Sequence, residues 1–146
     1  MNSDKEPILD NLKEKVLEKM KGYEDFSLFE NFAMYMGKVQ LLEFCLKNLL
    51  VRKYNSSLES LENASLGQVK GQLNDRGIRP DFVELLESVV KYRNYIAHEF
   101  LANIALNGSM TNFSPRKTFG DLYRATYELE QIILIYDWCE EFDGWD

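Results

Sequence analysis

The sequence has two cysteines, three prolines, one histidine and an excess of acid over base. Each shortage excludes something. Cys45 and Cys139 sit in separate helical apolar patterns, with no CxxC pair and no cluster of histidines, so a zinc site is not expected. Both are read as buried free thiols, and no metal or other cofactor is called for. Seventeen lysines and arginines against 24 aspartates and glutamates leave a net charge of −7 and a pI near 4.8. That balance argues against a broad electrostatic footprint for DNA or RNA, so any nucleic acid has to be gripped locally. The longest apolar runs, such as "IILIY", fall far short of the roughly 20 residues of a membrane span. The opening "MNSDKEPILDNLKEKVLEKM" has no apolar core or small-residue cleavage site, so no signal peptide is expected and residence in the cytoplasm is.

Sustained period-two alternation is missing as well, which makes a sheet improbable. What is present is helical periodicity, at 45% hydrophobic and 28% charged residues, in a chain of 146 residues suited to one domain. The expected organisation is all-α, an antiparallel bundle of four to five helices spanning 1–146: an N-terminal helix within 1–22, then helices over 26–54, 65–76, 80–105 and 118–142. Pro7 falls in the first turn of the first helix and Gly22 stops it. In the second, Phe29, Phe32, Met36, Val39, Leu42, Leu46, Leu49 and Leu50 follow steps of three and four. Leu41, Phe44 and Cys45 widen that face, so contacts on two sides are expected, with a close helix crossing at Gly37. Ser65 with Gln68, and Thr118 with Asp121, read as capping boxes, and Gly77 as a left-handed cap. The stretch "LNGSMTNFSPRK" reads as a loop. Trp138 and Trp145 are expected in the core or in tail packing, and the acidic, apolar "EEFDGWD" as a possible cover for a basic cleft.

One helical segment carries chemistry. Phe82, Leu86, Val89, Arg93, Ile96 and Phe100 share a face at steps of four and three, and only Arg93 is polar. The neighbouring seam of Val83, Val90, Asn94, Ala97 and Leu101 is apolar except for Asn94. His98 lies four residues beyond Asn94 on the same side and about 140° around the helix from Arg93. Lys91 and Tyr92 flank the group as candidate substrate contacts. The trio Arg93, Asn94 and His98 offers a permanent cation, an amide, and a side-chain type that titrates near neutrality. Those groups can hold a phosphate and move a proton beside it. A purely structural reading is also open, in which Arg93 pairs with Glu43 or Glu87 and His98 is a half-exposed helix residue.

The motif "RNYIAH" resembles the R-x4-6-H signature of the HEPN superfamily, including the polar residue directly after the arginine. The lead-in "LLEFCLKNLL", "SLGQVKGQL" and "RPDFVELLESVVKYRNYIAHEF" is similar to small bacterial HEPN proteins over about residues 28–104. The resemblance implies a bundle that dimerises through its motif helices, and a metal-independent ribonuclease of the kind found in toxin–antitoxin and defence systems. His98 would then be the proton-transfer group, Arg93 the stabiliser of phosphorane-like charge, and Asn94 the residue that orients the phosphate or imidazole. RNA and an antitoxin protein are the implied partners. A departure is Phe100, which stands where antitoxin-modified relatives carry a tyrosine. A second is the acidity of the chain, against which Lys91, Arg76, Arg79, Arg116 and Lys117 supply only a local rim. The alternative in keeping with that acidity is a non-catalytic HEPN-like module, which binds a partner protein or a nucleotide. The layout of the third and fourth helices also resembles mannitol-operon regulators.

Overall fold

A computed structural model describes residues 6–107 and 115–146, with side chains over 11–100, 102 and 119–146. It is an all-α bundle of six elements: α1 (Glu6–Lys21), α2 (Leu28–Tyr54), the single-turn α3 (Leu58–Leu61), α4 (Leu66–Asp75), α5 (Pro80–Asn107) and α6 (Pro115–Phe142). No strand occurs among the described residues.

Local chemistry sets most of the boundaries. The Ser65–Gln68 capping box forms as expected, the serine side chain accepting from Gln68 N and the glutamine side chain from Ser65 N. The same device, not anticipated in the sequence, starts α2: Ser27 and Glu30 satisfy each other's backbone N–H groups, so the helix begins at Leu28. Gly77 has φ of 78° and closes α4, with Ile78 N donating to Leu73 O and Gly77 N to Asn74 O. That pattern is the Schellman motif, which needs a residue tolerant of the left-handed region. The last helix begins at Pro115 rather than at 118, because a proline in the first turn forgoes no hydrogen bond. Thr118 therefore lies inside α6 and its capping box is not the helix start. Residues 108–114 of the expected loop lie outside the described residues; on either side of them α5 runs to Asn107 and α6 starts at Pro115.

Packing turns these rods into a core. Phe82, Leu86, Val89, Ile96 and Phe100 of α5 are all buried, against Tyr35, Val39, Leu42 and Leu46 of α2 and Leu122, Ala125, Leu129 and Ile132 of α6. Phe32 stacks on Phe100 at 3.8 Å between ring centroids. Lys38 pairs with Glu130, Arg52 with Glu140 and Lys53 with Asp143, so α2 and α6 run in the same direction. Gly67, near the start of α4, sits beside Val90. The short α4 thus covers α5 from its beginning to about that level and no further. α1 adds a second cluster, with Leu12, Val16 and Met20 against Tyr127, Leu134 and Ile135.

Two expectations for α2 are overturned. Gly37 is exposed and has no atom within contact of where a side chain would begin, so no helix crosses there. Leu41 and Phe44 are 65% and 71% exposed, so among the described residues nothing covers the second side of the widened face. Cys139 is buried, whereas Cys45 is only half-buried, and neither forms a disulfide. Trp138 and Trp145 are buried, as expected. The tail itself is core structure. Trp145 meets Phe82 edge-on at 5.1 Å, and its carbonyl accepts from Arg79 N at 2.8 Å. It docks at the start of α5 and does not reach the level of Arg93 and His98, so it is no cover for them.

Candidate functional site

Arg93 keeps the place its spacing assigns, on the core-facing seam of α5 between Val89 and Ile96, and is half-buried. It lies just beyond the end of the cover given by α4. Its Nη1 donates to Asn94 Oδ1 at 3.2 Å. The two carboxylates that could have neutralised it from nearby are engaged elsewhere: Glu43 pairs with Lys47 at 3.6 Å and Glu87 with Lys91 at 3.8 Å. Among the described residues no carboxylate forms an ion pair with Arg93.

A buried hydroxyl within electrostatic reach of the arginine was missed in the sequence. Tyr35 of α2 is wholly buried, and its hydroxyl has no hydrogen-bond partner among the described residues. Burial pushes its pKa well up; the positive charge of Arg93 pulls the other way, and Glu128 of α6 adds to the rise. The guanidinium is therefore within electrostatic reach of that hydroxyl, and Glu128 itself has a buried oxygen without a partner. A tyrosine at an apolar helical position gave no sign of this, since ring packing alone accounts for it. Tyr35→Phe removes a hydroxyl that forms no hydrogen bond and keeps the ring. The variant is expected to be within about 1 kcal/mol of the parent in urea unfolding, or more stable, because an unsatisfied buried group costs about 1–3 kcal/mol. A clear loss of stability would mean that the hydroxyl has a partner, Arg93 being the group nearest in charge.

His98 is exposed on the outward side of α5, and no hydrogen bond joins it to Arg93 or Asn94 among the described residues. The structure thus brings Arg93 and Asn94 together and leaves the imidazole a turn further along, facing solvent. Lys91 is exposed and its pairing with Glu87 is a long surface contact of the sort worth little. Tyr92 instead packs against the core. Phe100 is fully buried. Tyr95 uses its hydroxyl on Asp121 of α6, at 2.9 Å.

Of the expected basic rim, Arg76 and Arg79 stand away from His98. Arg79 is held by both oxygens of Asp81 at 2.6 Å and lies over the Trp138 ring, and Arg76 lies over Tyr54. Both precede α5, at least about 20 Å along the helix from Arg93. The side chains of Arg116 and Lys117 lie outside the described residues. Among the described residues no three His, Cys, Asp or Glu side chains are grouped to hold a metal ion, and no helix is long and apolar enough to cross a membrane. Compared with protein-family models, curated proteins and solved structures, the chain matches none.

Proposed function

We propose that this chain is a metal-independent ribonuclease of the HEPN kind, a toxin or defence component acting as a homodimer. The observation that carries the reading is the state of Arg93: a cation on a core-facing seam, held by Asn94 and in no ion pair with a carboxylate among the described residues. A structural arginine in that place calls for an acidic partner. One left available suits an anionic ligand, and its fork of N–H donors matches a phosphate.

The separation of His98 from Arg93 within one chain accords with a cleft built from two copies, in which each motif supplies part of the site. There an imidazole takes the proton of the ribose 2′-hydroxyl as that oxygen attacks phosphorus. The 5′-oxygen leaves with a proton from the second copy's His98, and the products are a 2′,3′-cyclic phosphate and a free 5′-hydroxyl. Arg93 offsets the charge that grows on the phosphoryl oxygens, and Asn94 keeps Arg93 or the phosphate in place. Lys91 is free to release Glu87 and join an RNA backbone; the half-buried Tyr92 serves better as packing than as a substrate contact.

The test is cleavage of total RNA in EDTA by the parent, His98→Ala and Arg93→Ala, matched for folding and particle mass. The parent is expected to cleave, and each variant to lose about 100-fold or more, the usual scale for removing a general acid–base group. No cleavage by the folded parent would favour a different reading, a non-catalytic module that binds a partner protein or a nucleotide. The exposed apolar residues of α2 are the observation on its side.

A further inference from the structure

The outward face of α2 is built as an interface. Opposite the buried Tyr35, Val39, Leu42 and Leu46, the helix presents Ala33, Gly37, Leu41, Phe44 and Asn48, spaced by fours and threes and all exposed. Gln40 is the other exposed residue between Ala33 and Asn48, so over more than four turns no fully exposed charge of α2 stands on this face; Lys47, Glu59 and Glu62 line the hollow at its edge beside Phe44. On a chain with net charge −7 and 28% charged residues, an uncharged solvent face of that length is out of character. Two of the largest exposed apolar side chains of the described residues, Leu41 and Phe44, stand on it, with Leu58 of α3 beside Phe44 and 64% exposed. Patches of this kind mark contact with another macromolecule.

We propose that a second copy of this chain covers the face, with the two α2 helices antiparallel about a twofold axis between Gln40 and Leu41. Shape and charge both select a copy. Phe44, the bulkiest knob, and Gly37, the bare notch, are equally far from that axis on opposite sides. The twofold therefore seats each Phe44 over the partner's Gly37, and sets Asn48 against the partner's Ala33. Among the described residues nothing lies within 4 Å of where a Gly37 side chain would begin. At the ends, the exposed Glu30 in the first turn comes near the partner's Arg52 in the last turn, opposite in sign, though each Arg52 also pairs with Glu140 of its own chain. Between them no like charges face each other, which would otherwise oppose the pairing of two acidic chains. This is an isologous contact of the kind that closes on itself. It is separate from the motif surface on α5 and does not depend on the RNA-cleaving reading.

Sedimentation equilibrium of the full chain and two variants tests it. Phe44→Glu places a charge in the middle of the contact at a side chain that is 71% exposed, so the fold of the single chain is unaffected. Gly37→Leu fills the notch. Alone, it should make the single chain slightly more stable, since leucine is the better helix former and the space is open. Both variants are expected to contain half as many chains per particle as the parent, with Gly37→Leu showing no loss of helical circular dichroism. A fall from four chains to two would mean that a separate dimer through α5 persists. A fall from two to one would uphold this contact and remove the α5 dimer. A parent that is a monomer, or a particle mass unchanged by both substitutions, overturns the proposal.

Discussion

Replacing Lys38 by methionine is expected to lower the unfolding free energy by about 3–5 kcal/mol, the scale for stranding one partner of a buried ion pair. The reason is Glu130, a carboxylate with no solvent exposure in the middle of α6. Its Oε1 accepts from Lys38 Nζ and from the Tyr23 hydroxyl at 2.7 Å, while Tyr23 in turn accepts from Lys38. Lys19 approaches Oε2 at 3.7 Å but is partly exposed and forms no hydrogen bond to it. With Lys38 gone, the charge would rest on that one distant contact. The cluster also ties α1 and the turn after it to α2 and α6, so the loss should free α1 first, seen as early loss of protection there in hydrogen exchange. Adding Glu130→Gln to Lys38→Met is expected to restore most of the stability, because it removes the buried charge instead of stranding it. A Lys38→Met chain as stable as the parent would show that Glu130 is solvated or protonated, and the cluster would then have no structural weight.

The same cluster predicts a pH dependence. Burial alone would lower the pKa of Lys38, but its hydrogen bonds to Glu130 and Tyr23 outweigh that and raise it. Tyr23 is raised too, chiefly by burial, and Tyr136 is pushed up to about 12 for the same reason. For each group the folded state holds its proton more tightly than the unfolded state does. Stability is therefore full below the unfolded values near pH 10 and falls as pH rises through the folded ones. Unfolding curves between pH 8 and 12 should show the decline beginning near pH 10, and less steeply in the Lys38→Met, Glu130→Gln pair.

The second large effect belongs to the last residues of the chain. Trp145→Ala is expected to cost about 3–5 kcal/mol, the usual range for deleting a large aromatic side chain from a core. The ring is buried between Phe82 and Tyr136, at centroid separations of 5.1 and 5.5 Å. Before it, Asp143 turns the chain in the left-handed region, and Gly144 N donates to Cys139 O at 3.0 Å. At Gly144 a β-carbon would collide with the Trp138 ring, so Gly144→Ala should itself destabilise by displacing that ring. Thermal melts of the two variants would check both. A tail that is only surface decoration would leave the melting temperature unchanged. Truncating residues 140–146 should accordingly loosen the fold and not simply uncover a cleft.

How much of this was legible beforehand depended on whether the deciding interaction was local. Helical periods, the Ser65–Gln68 box, the Gly77 cap and the buried seam of α5 all rest on residues within a turn or two of one another, and sequence spacing reports them directly. Even the misplaced start of α6 was a choice between two local signals, Pro115 and Thr118. The role of Arg93 was legible as an anomaly, a cation on an apolar seam, but its surroundings were not. The sequence offered Glu43 and Glu87 as partners, each four residues from a lysine on its own helix, and it took folding to bring Tyr35 across from a helix nearly sixty residues away. Glu130 is the same case, one of two acids within residues 127–131 with nothing local to mark it as the buried one, whose partners come from α1, α2 and the turn between them. Tertiary structure alone also decided that no other described element would cover the second apolar side of α2. By itself the sequence determined where helices form, which faces are apolar and which motif residues share α5. Tertiary structure decided which charges meet and which apolar faces are covered, because both depend on how separate helices are docked and not on periodicity within one.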